Sequence, residues 1–102
     1  MTLTKLCDVA AVAPGEMIPA EVEGLLPLAV YNVDGEFFVT SNVCTHSVAM
    51  LTDGDLEDGI VECPMHGGMF NVKTGEATHY PCFEPLQTYK VVVQDGGVFI
   101  EV

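Results

Sequence analysis

The chain has 102 residues, the size of one domain, and its 49% hydrophobic content can build a core without disulfide staples. Fifteen Asp and Glu against three Lys and Arg give a net charge of −12, which argues against nucleic acid and anionic membranes, because both are held by cations. The same imbalance favours solubility and steering toward a basic partner surface.

The chain opens with MTLTKLCDVAAVAPG, in which Asp8 cuts an apolar stretch already too short for a signal peptide. No run approaches the ~20 apolar residues of a membrane helix. A cytoplasmic location is therefore expected, and the four Cys are read as thiols or metal ligands before disulfides. Cys7 sits in a first strand pattern, where it packs as a small hydrophobe. After the Pro14-Gly15 turn, EMIPAEVE (16–23) reads as a strand. LLPLAVYNV (25–33) and EFFVTS (36–41) flank Asp34-Gly35, a hairpin turn whose glycine accepts positive φ. From Asn42 to about Pro81 the strands shorten (GIVEC, GMFNV) and the turns crowd together (DGDLEDG, KTGE). QTYKVVVQ (87–94) and GVFIEV (97–102) then flank Asp95-Gly96 as a second hairpin. No stretch carries a helical apolar stripe. The expected fold is all-β, a single domain over 1–102. A small antiparallel sandwich (about 1–41 and 82–102) would carry an inserted, loop-rich subdomain (about 42–81).

That insert holds two of the four Cys and all three His, and two of those His pair with the Cys as Cys44-x-His46 and Cys63-x-x-His66, with sixteen residues between the pairs. Thiolate and neutral imidazole are metal ligands, and two loops supply a full set of four. Zinc could take all four on one tetrahedral ion, but its modules usually keep two Cys together. Here each loop offers Cys first and His second. If the loops close as a pincer, both Cys meet at one metal and both His at another just beyond it. A sulfide-bridged pair of irons with two Cys on one and two His on the other, the Rieske [2Fe–2S] centre, fits this order better than a lone ion.

The chain resembles the Rieske-type ferredoxins of bacterial aromatic-ring-hydroxylating dioxygenase systems. CTH (44–46), CPMHGGMF (63–70), Pro14-Gly15-Glu16 and the downstream YPC and TYKV carry the likeness. It implies one Rieske [2Fe–2S] cluster held by Cys44, His46, Cys63 and His66. The implied function is a one-electron carrier, not an enzyme, between a flavin-containing ferredoxin reductase and a terminal oxygenase. Ser47 departs from the glycine that many relatives have there, without removing a ligand. Respiratory Rieske proteins carry a loop-bridging disulfide at positions matching Ala49 and Met65, and Ser and Tyr hydroxyls at positions matching Gly68 and Phe70. None of the four is present. Hydroxyl donors to cluster sulfur stabilise the reduced form, so the resemblance implies a potential toward the low end of roughly −150 to +300 mV.

Around the ligands, Gly67 and Gly68 let backbone approach the cluster and donate N–H groups to sulfur. Met50, Met65 and Pro81, with Met69 and Phe83, are candidates for an apolar docking collar. The iron bound by His46 and His66 should receive the electron, which would put both imidazoles on the transfer route, near the surface. Cys82 is placed near the cluster by the resemblance, in a packing role. His79 has no paired Cys and should be exposed or hydrogen-bonded. A monomer suits a shuttle between two partners. Two other readings stay open: a Rieske redox sensor or accessory subunit, and a zinc-stabilised protein-interaction module.

Overall fold

A computed structural model describes residues 2–45, 49–65, 67–80 and 82–102. His46, Ser47, Val48, His66 and Pro81 lie outside the described residues. Strands run in chain order as β1 (Leu3–Asp8), β2 (Met17–Ala20), β3 (Leu28–Val33), β4 (Glu36–Ser41), β5 (Asp55–Glu57), β6 (Ile60–Glu62), β7 (Met69–Asn71), β8 (Ala77–His79), β9 (Thr88–Tyr89), β10 (Val91–Gln94) and β11 (Gly97–Glu101). The helical pieces described are two single 3-10 turns, at Val9–Ala11 and Leu51–Asp53. The chain is all-β, as its patterning requires. Every strand pairing is antiparallel. Among the described residues three sheets form, ordered β1-β11-β10, β2-β3-β4-β9 and β5-β6-β7-β8.

The middle sheet is covered on both faces, and β3 shows why. Its residues Leu28, Ala29, Val30 and Tyr31 are all fully buried. Because side chains alternate along a strand, Leu28 and Val30 face one core with Val12, Phe37, Val39, Val98 and Ile100. Ala29 and Tyr31 face a second core with Leu51, Val61, Phe70, Val72 and three cysteines, Cys44, Cys63 and Cys82. The first core joins the middle sheet to the β1-β11-β10 sheet. The second joins it to the β5-β6-β7-β8 sheet, whose strands all fall between Asp55 and His79.

Both expected Asp-Gly hairpins are present, and a third occurs at Asp58-Gly59. Each uses positive φ at both turn residues (Asp34 53° and Gly35 93°; Asp58 51° and Gly59 79°; Asp95 50° and Gly96 73°). This is the turn whose twist matches that of the flanking strands. Three strands differ from their sequence outlines, and the first of them, expected at 16–23, is only Met17–Ala20. The expected strand at 25–33 starts only at Leu28, after the Val22–Leu25 turn. The expected strand at 87–94 divides at Lys90: β9 pairs with β4 and β10 with β11, so one apolar run serves two sheets. Tyr89 and Val91 keep the same inward face across the break, which is why alternation alone does not reveal it. In β1 the register shifts between Lys5 and Cys7. That bulge turns Leu6 and Cys7 toward the same core, and Cys7 is half-buried there as an apolar side chain.

Tyr31 is the largest fully buried side chain, and its hydroxyl bonds Thr40 Oγ1 at 2.9 Å. Burial pushes its pKa up to about 12, partly offset by that bond, so the phenol stays neutral. Thr40 Oγ1 itself donates to the Ser41 carbonyl at 2.8 Å. Tyr31→Phe should therefore remove one bond while Thr40 keeps a partner, costing about 1 kcal/mol. A lowered denaturant midpoint with an unchanged slope is the expected result.

Candidate metal centre

β4 ends at Ser41, and the chain enters the first loop through Asn42, which is 1% exposed. One side chain ties both ends of this loop. The Asn42 amide donates to Thr52 Oγ1 at 2.9 Å, and its Oδ1 accepts the Thr52 N–H at 2.9 Å. The Asn42 carbonyl also accepts the Leu51 N–H at 2.8 Å. Inside the clamp, Val43 bridges Met50, and the Cys44 N–H donates to the Ala49 carbonyl at 3.0 Å. The second loop is the tip of the β6–β7 hairpin, beyond the last register pair Glu62 and Met69. There the Cys63 N–H donates to the Gly68 carbonyl at 2.7 Å. Both loops thus close by the same bond, from a cysteine amide to the carbonyl five residues on. Each presents its cysteine at the base, with a histidine two or three positions further out in sequence.

A third segment, 79–87, covers the first two. The Cys82 N–H donates to the His79 carbonyl at 3.1 Å, and the Leu86 N–H to the Gly75 carbonyl at 2.8 Å. Thr45 Oγ1 donates to the Glu84 carbonyl at 2.8 Å, which ties this segment to the first loop. Cys82 Sγ lies 3.6 Å from Cys44 Sγ.

The donor set fits an iron–sulfur centre. Cys44, Cys63 and Cys82 are 3%, 1% and 4% exposed within one apolar core, and none forms a disulfide. Two of these sulfurs sit at the bases of matched loops, where thiolate would be costly to bury without a metal. Burial first, and then the neighbouring Cys44 and Cys63 sulfurs, push the Cys82 thiol up to about 12. Among the described residues no group of three or more His, Cys, Asp and Glu converges as a metal site. Two of the four expected ligands, His46 and His66, lie outside those residues.

The glycines differ in what they do. Gly67 has φ 72°, a left-handed conformation that L side chains resist. Gly68 is needed for space: a Cβ there would collide with Cys82 Sγ. Phe70 is fully buried in the core shared by Cys44 and Cys63. Among the docking candidates, Met65 is exposed and Met69 half-buried. Met50 is half-buried and lines a hollow with Pro19, Pro27 and Thr52. Pro81 falls outside the described residues. Phe83 is 75% exposed, as are Tyr80 at 87% and Leu26 at 67%. Tyr80 and Leu26 were not legible as surface groups, since an isolated aromatic or Leu in a loop carries no periodic signal. His79 is exposed, with Nδ1 3.0 Å from Thr78 Oγ1, as expected for a histidine outside the ligand set.

Charge is arranged unevenly along the chain. The sequence has no Lys or Arg between Lys5 and Lys73. Asp55, Glu57, Asp58 and Glu62 line one hollow of the β5-β6-β7-β8 sheet together with Met69 and His79. All three cations are occupied: Lys5 pairs with Asp8 at 2.7 Å, Lys90 with Glu101 at 3.1 Å, and Lys73 lies 5.7 Å from the Phe38 ring centre. No helix among the described residues is long and apolar enough to cross a membrane.

Known proteins match this arrangement along the whole chain. The ferredoxin component of biphenyl 2,3-dioxygenase from Rhodococcus jostii is 44% identical over 101 residues, covering 99% of this chain and 94% of that protein. The solved ferredoxin of Sphingomonas yanoikuyae B1 is 50% identical with a TM-score of 0.96, covering 99% of each chain. A chain in the solved complex of reduced oxygenase and oxidised ferredoxin of carbazole 1,9a-dioxygenase is 40% identical with a TM-score of 0.92, covering 96% of this chain and 91% of that one. The Rieske [2Fe-2S] domain model matches residues 2–90. With buried, disulfide-free cysteines at the bases of two matched loops and this likeness along its length, the chain belongs to the Rieske [2Fe–2S] domain family and takes one cluster of the Rieske type.

Proposed function

We propose that this chain is a one-electron carrier, passing electrons from a flavoprotein reductase to the terminal oxygenase of an aromatic-ring dioxygenase system. The observation that carries the reading is its likeness, over 99% of its length, to the ferredoxin component of such a system. The cluster supplies reversible one-electron chemistry, and the oxygenase performs the reaction on the substrate. In this assignment Cys44 and Cys63 hold one iron, and His46 and His66 hold the other. The burial of both cysteines and the matched closure of their loops support it. The cluster subdomain is assigned to about 42–81 on a framework of about 1–41 and 82–102.

The protein's own residues have three tasks in this role. The apolar core around Phe70, Val61 and Leu51 keeps water from the cysteine side. The backbone bonds at Cys44 and Cys63, with the Asn42 clamp, fix the loops so that little rearranges when charge changes. Exposed Met65, Tyr80 and Phe83, with Pro81 between the last two, are assigned as the docking face, and Met50 to packing. The net charge of −12 steers the chain toward basic surfaces on both partners. We assign the chain to the cytoplasm as a monomer.

The test is stopped-flow oxidation of the dithionite-reduced chain by a biphenyl-type terminal oxygenase. Rapid single-electron transfer is expected, with the bimolecular rate falling about tenfold or more between low and high salt. Aromatic substrate should not be turned over by the chain alone. A Rieske spectrum with no transfer to any such oxygenase would instead favour a sensor or accessory role. A rate indifferent to salt would remove the steering.

A further inference from the structure

We propose that Cys82 donates an S–H hydrogen bond to the Cys44 sulfur and thereby raises the midpoint potential of the cluster. The inference rests on Cys44 being a cluster ligand. Three observations place the donor. Cys82 Sγ lies 3.6 Å from Cys44 Sγ, within the range of a sulfur–sulfur hydrogen bond. It is 4% exposed, so water does not compete for either sulfur. Its seat is shaped for it: the Cys82 thiol occupies the space that a side chain on Gly68 would fill. Bonds from Cys82 N–H to the His79 carbonyl and from Thr45 Oγ1 to the Glu84 carbonyl hold the two strands of this contact together.

In a metal-free protein either sulfur could donate. Iron removes that ambiguity, because coordination takes the proton from Cys44. The remaining S–H belongs to Cys82, and the acceptor within reach at 3.6 Å is the Cys44 sulfur. An electron added to the cluster increases negative charge on that sulfur, so the bond strengthens on reduction. The direction of the effect follows: removing the donor disfavours the reduced state. A thiol is a weak donor, so the effect tunes a low potential and does not convert it to a high one. What a hydroxyl on the cluster loop would do in other Rieske chains, a thiol from a separate loop does here.

The experiment compares the cluster-loaded parent with Cys82→Ala and Cys82→Ser by anaerobic redox titration, with visible spectra recorded on each. Cys82→Ala should lower the midpoint. The reduced-to-oxidised ratio at the parent midpoint should fall about threefold, which is about 28 mV at 59 mV per decade. Cys82→Ser restores a donor and should bring the midpoint back above that of Cys82→Ala. An intact cluster spectrum with an unchanged midpoint in Cys82→Ala overturns the proposal. A raised midpoint does so as well, since it would mean a negative sulfur at that position. Should Cys82→Ala fail to hold a cluster, the decision passes to the S–H stretching band of the unmodified loaded protein, with the Cys7 band removed by Cys7→Ser. A band shifted down by hydrogen bonding supports the proposal, and one at the position of an unbonded thiol refutes it. Absence of any Rieske spectrum in the parent would count against the ligand assignment instead.

Discussion

Alanine in place of Cys63, or of Cys44, should yield a folded or partly folded chain with essentially no bound iron or labile sulfide. Each cysteine is almost fully buried within the apolar core, where bulk water does not replace a missing thiolate. In the proposed ligand set a neutral methyl would leave one iron with a single protein sulfur, and the binding energy of such a centre depends on deprotonated ligands. Loss of the cluster in turn leaves a thiol facing the core, so stability falls along with metal content. Iron and sulfide analysis after anaerobic reconstitution gives the first readout. EPR of the dithionite-reduced parent, with nitrogen hyperfine detection, gives the second. Two coupled imidazole nitrogens are expected, from His46 and His66. A variant lacking Cys63 that still assembled a full complement of iron with parent-like EPR would show that the ligand set is wrong. Parent EPR without nitrogen coupling would do the same for the histidines.

The two Cys/His pairs proposed as ligands stand out because their pattern is local in the sequence: a Cys followed by a His two or three residues on, twice. The hairpins were legible for a similar reason, since Asp-Gly encodes the positive φ values found at Asp34-Gly35 and Asp95-Gly96. Asp58-Gly59 obeys the same rule, but the strands it joins are three residues each, too short for alternation to stand out. The break at Lys90 was hidden by side chains that alternate correctly through a change of hydrogen-bonding partner. The reason for Gly68 was hidden more deeply. Glycine after a cluster histidine reads naturally as backbone approach to the cluster, whereas the structure adds a thiol fourteen residues later in the chain, lodged against it. Only the folding of the 79–87 segment over both loops brings Cys82 to Gly68 and Cys44, and no spacing rule encodes that meeting.

Gly68→Val should be among the most damaging substitutions outside the ligands, and Cys82→Ala should partly rescue it. A Cβ at Gly68 would run into Cys82 Sγ and approach Cys82 Cβ to 3.1 Å and Cys82 N to 3.2 Å. Neither side can easily retreat. The Gly68 carbonyl accepts the Cys63 N–H at 2.7 Å, and the Cys82 N–H donates to the His79 carbonyl at 3.1 Å. Overpacking costs of about 1–3 kcal/mol are usual where a neighbour can give; with backbone on both sides, about 3 kcal/mol or more is expected. Cluster content should fall as Cys63 shifts. In Gly68→Val/Cys82→Ala the sulfur is gone while the backbone contacts stay, so a coupling of at least about 1 kcal/mol should appear in a double-mutant cycle. Gly67→Ala provides the contrast. Its φ of 72° and a Glu62 carboxylate oxygen 3.4 Å from the added Cβ make its cost one of backbone strain, about 1–2 kcal/mol. Removing the Cys82 sulfur should not relieve it. Equal rescue of both glycine variants by Cys82→Ala, read from anaerobic denaturant midpoints, would mean that the thiol acts on the loop as a whole and not through the space at Gly68. No rescue of either would mean that the backbone of the 79–87 segment, and not its thiol, sets the limit on what the second loop can carry.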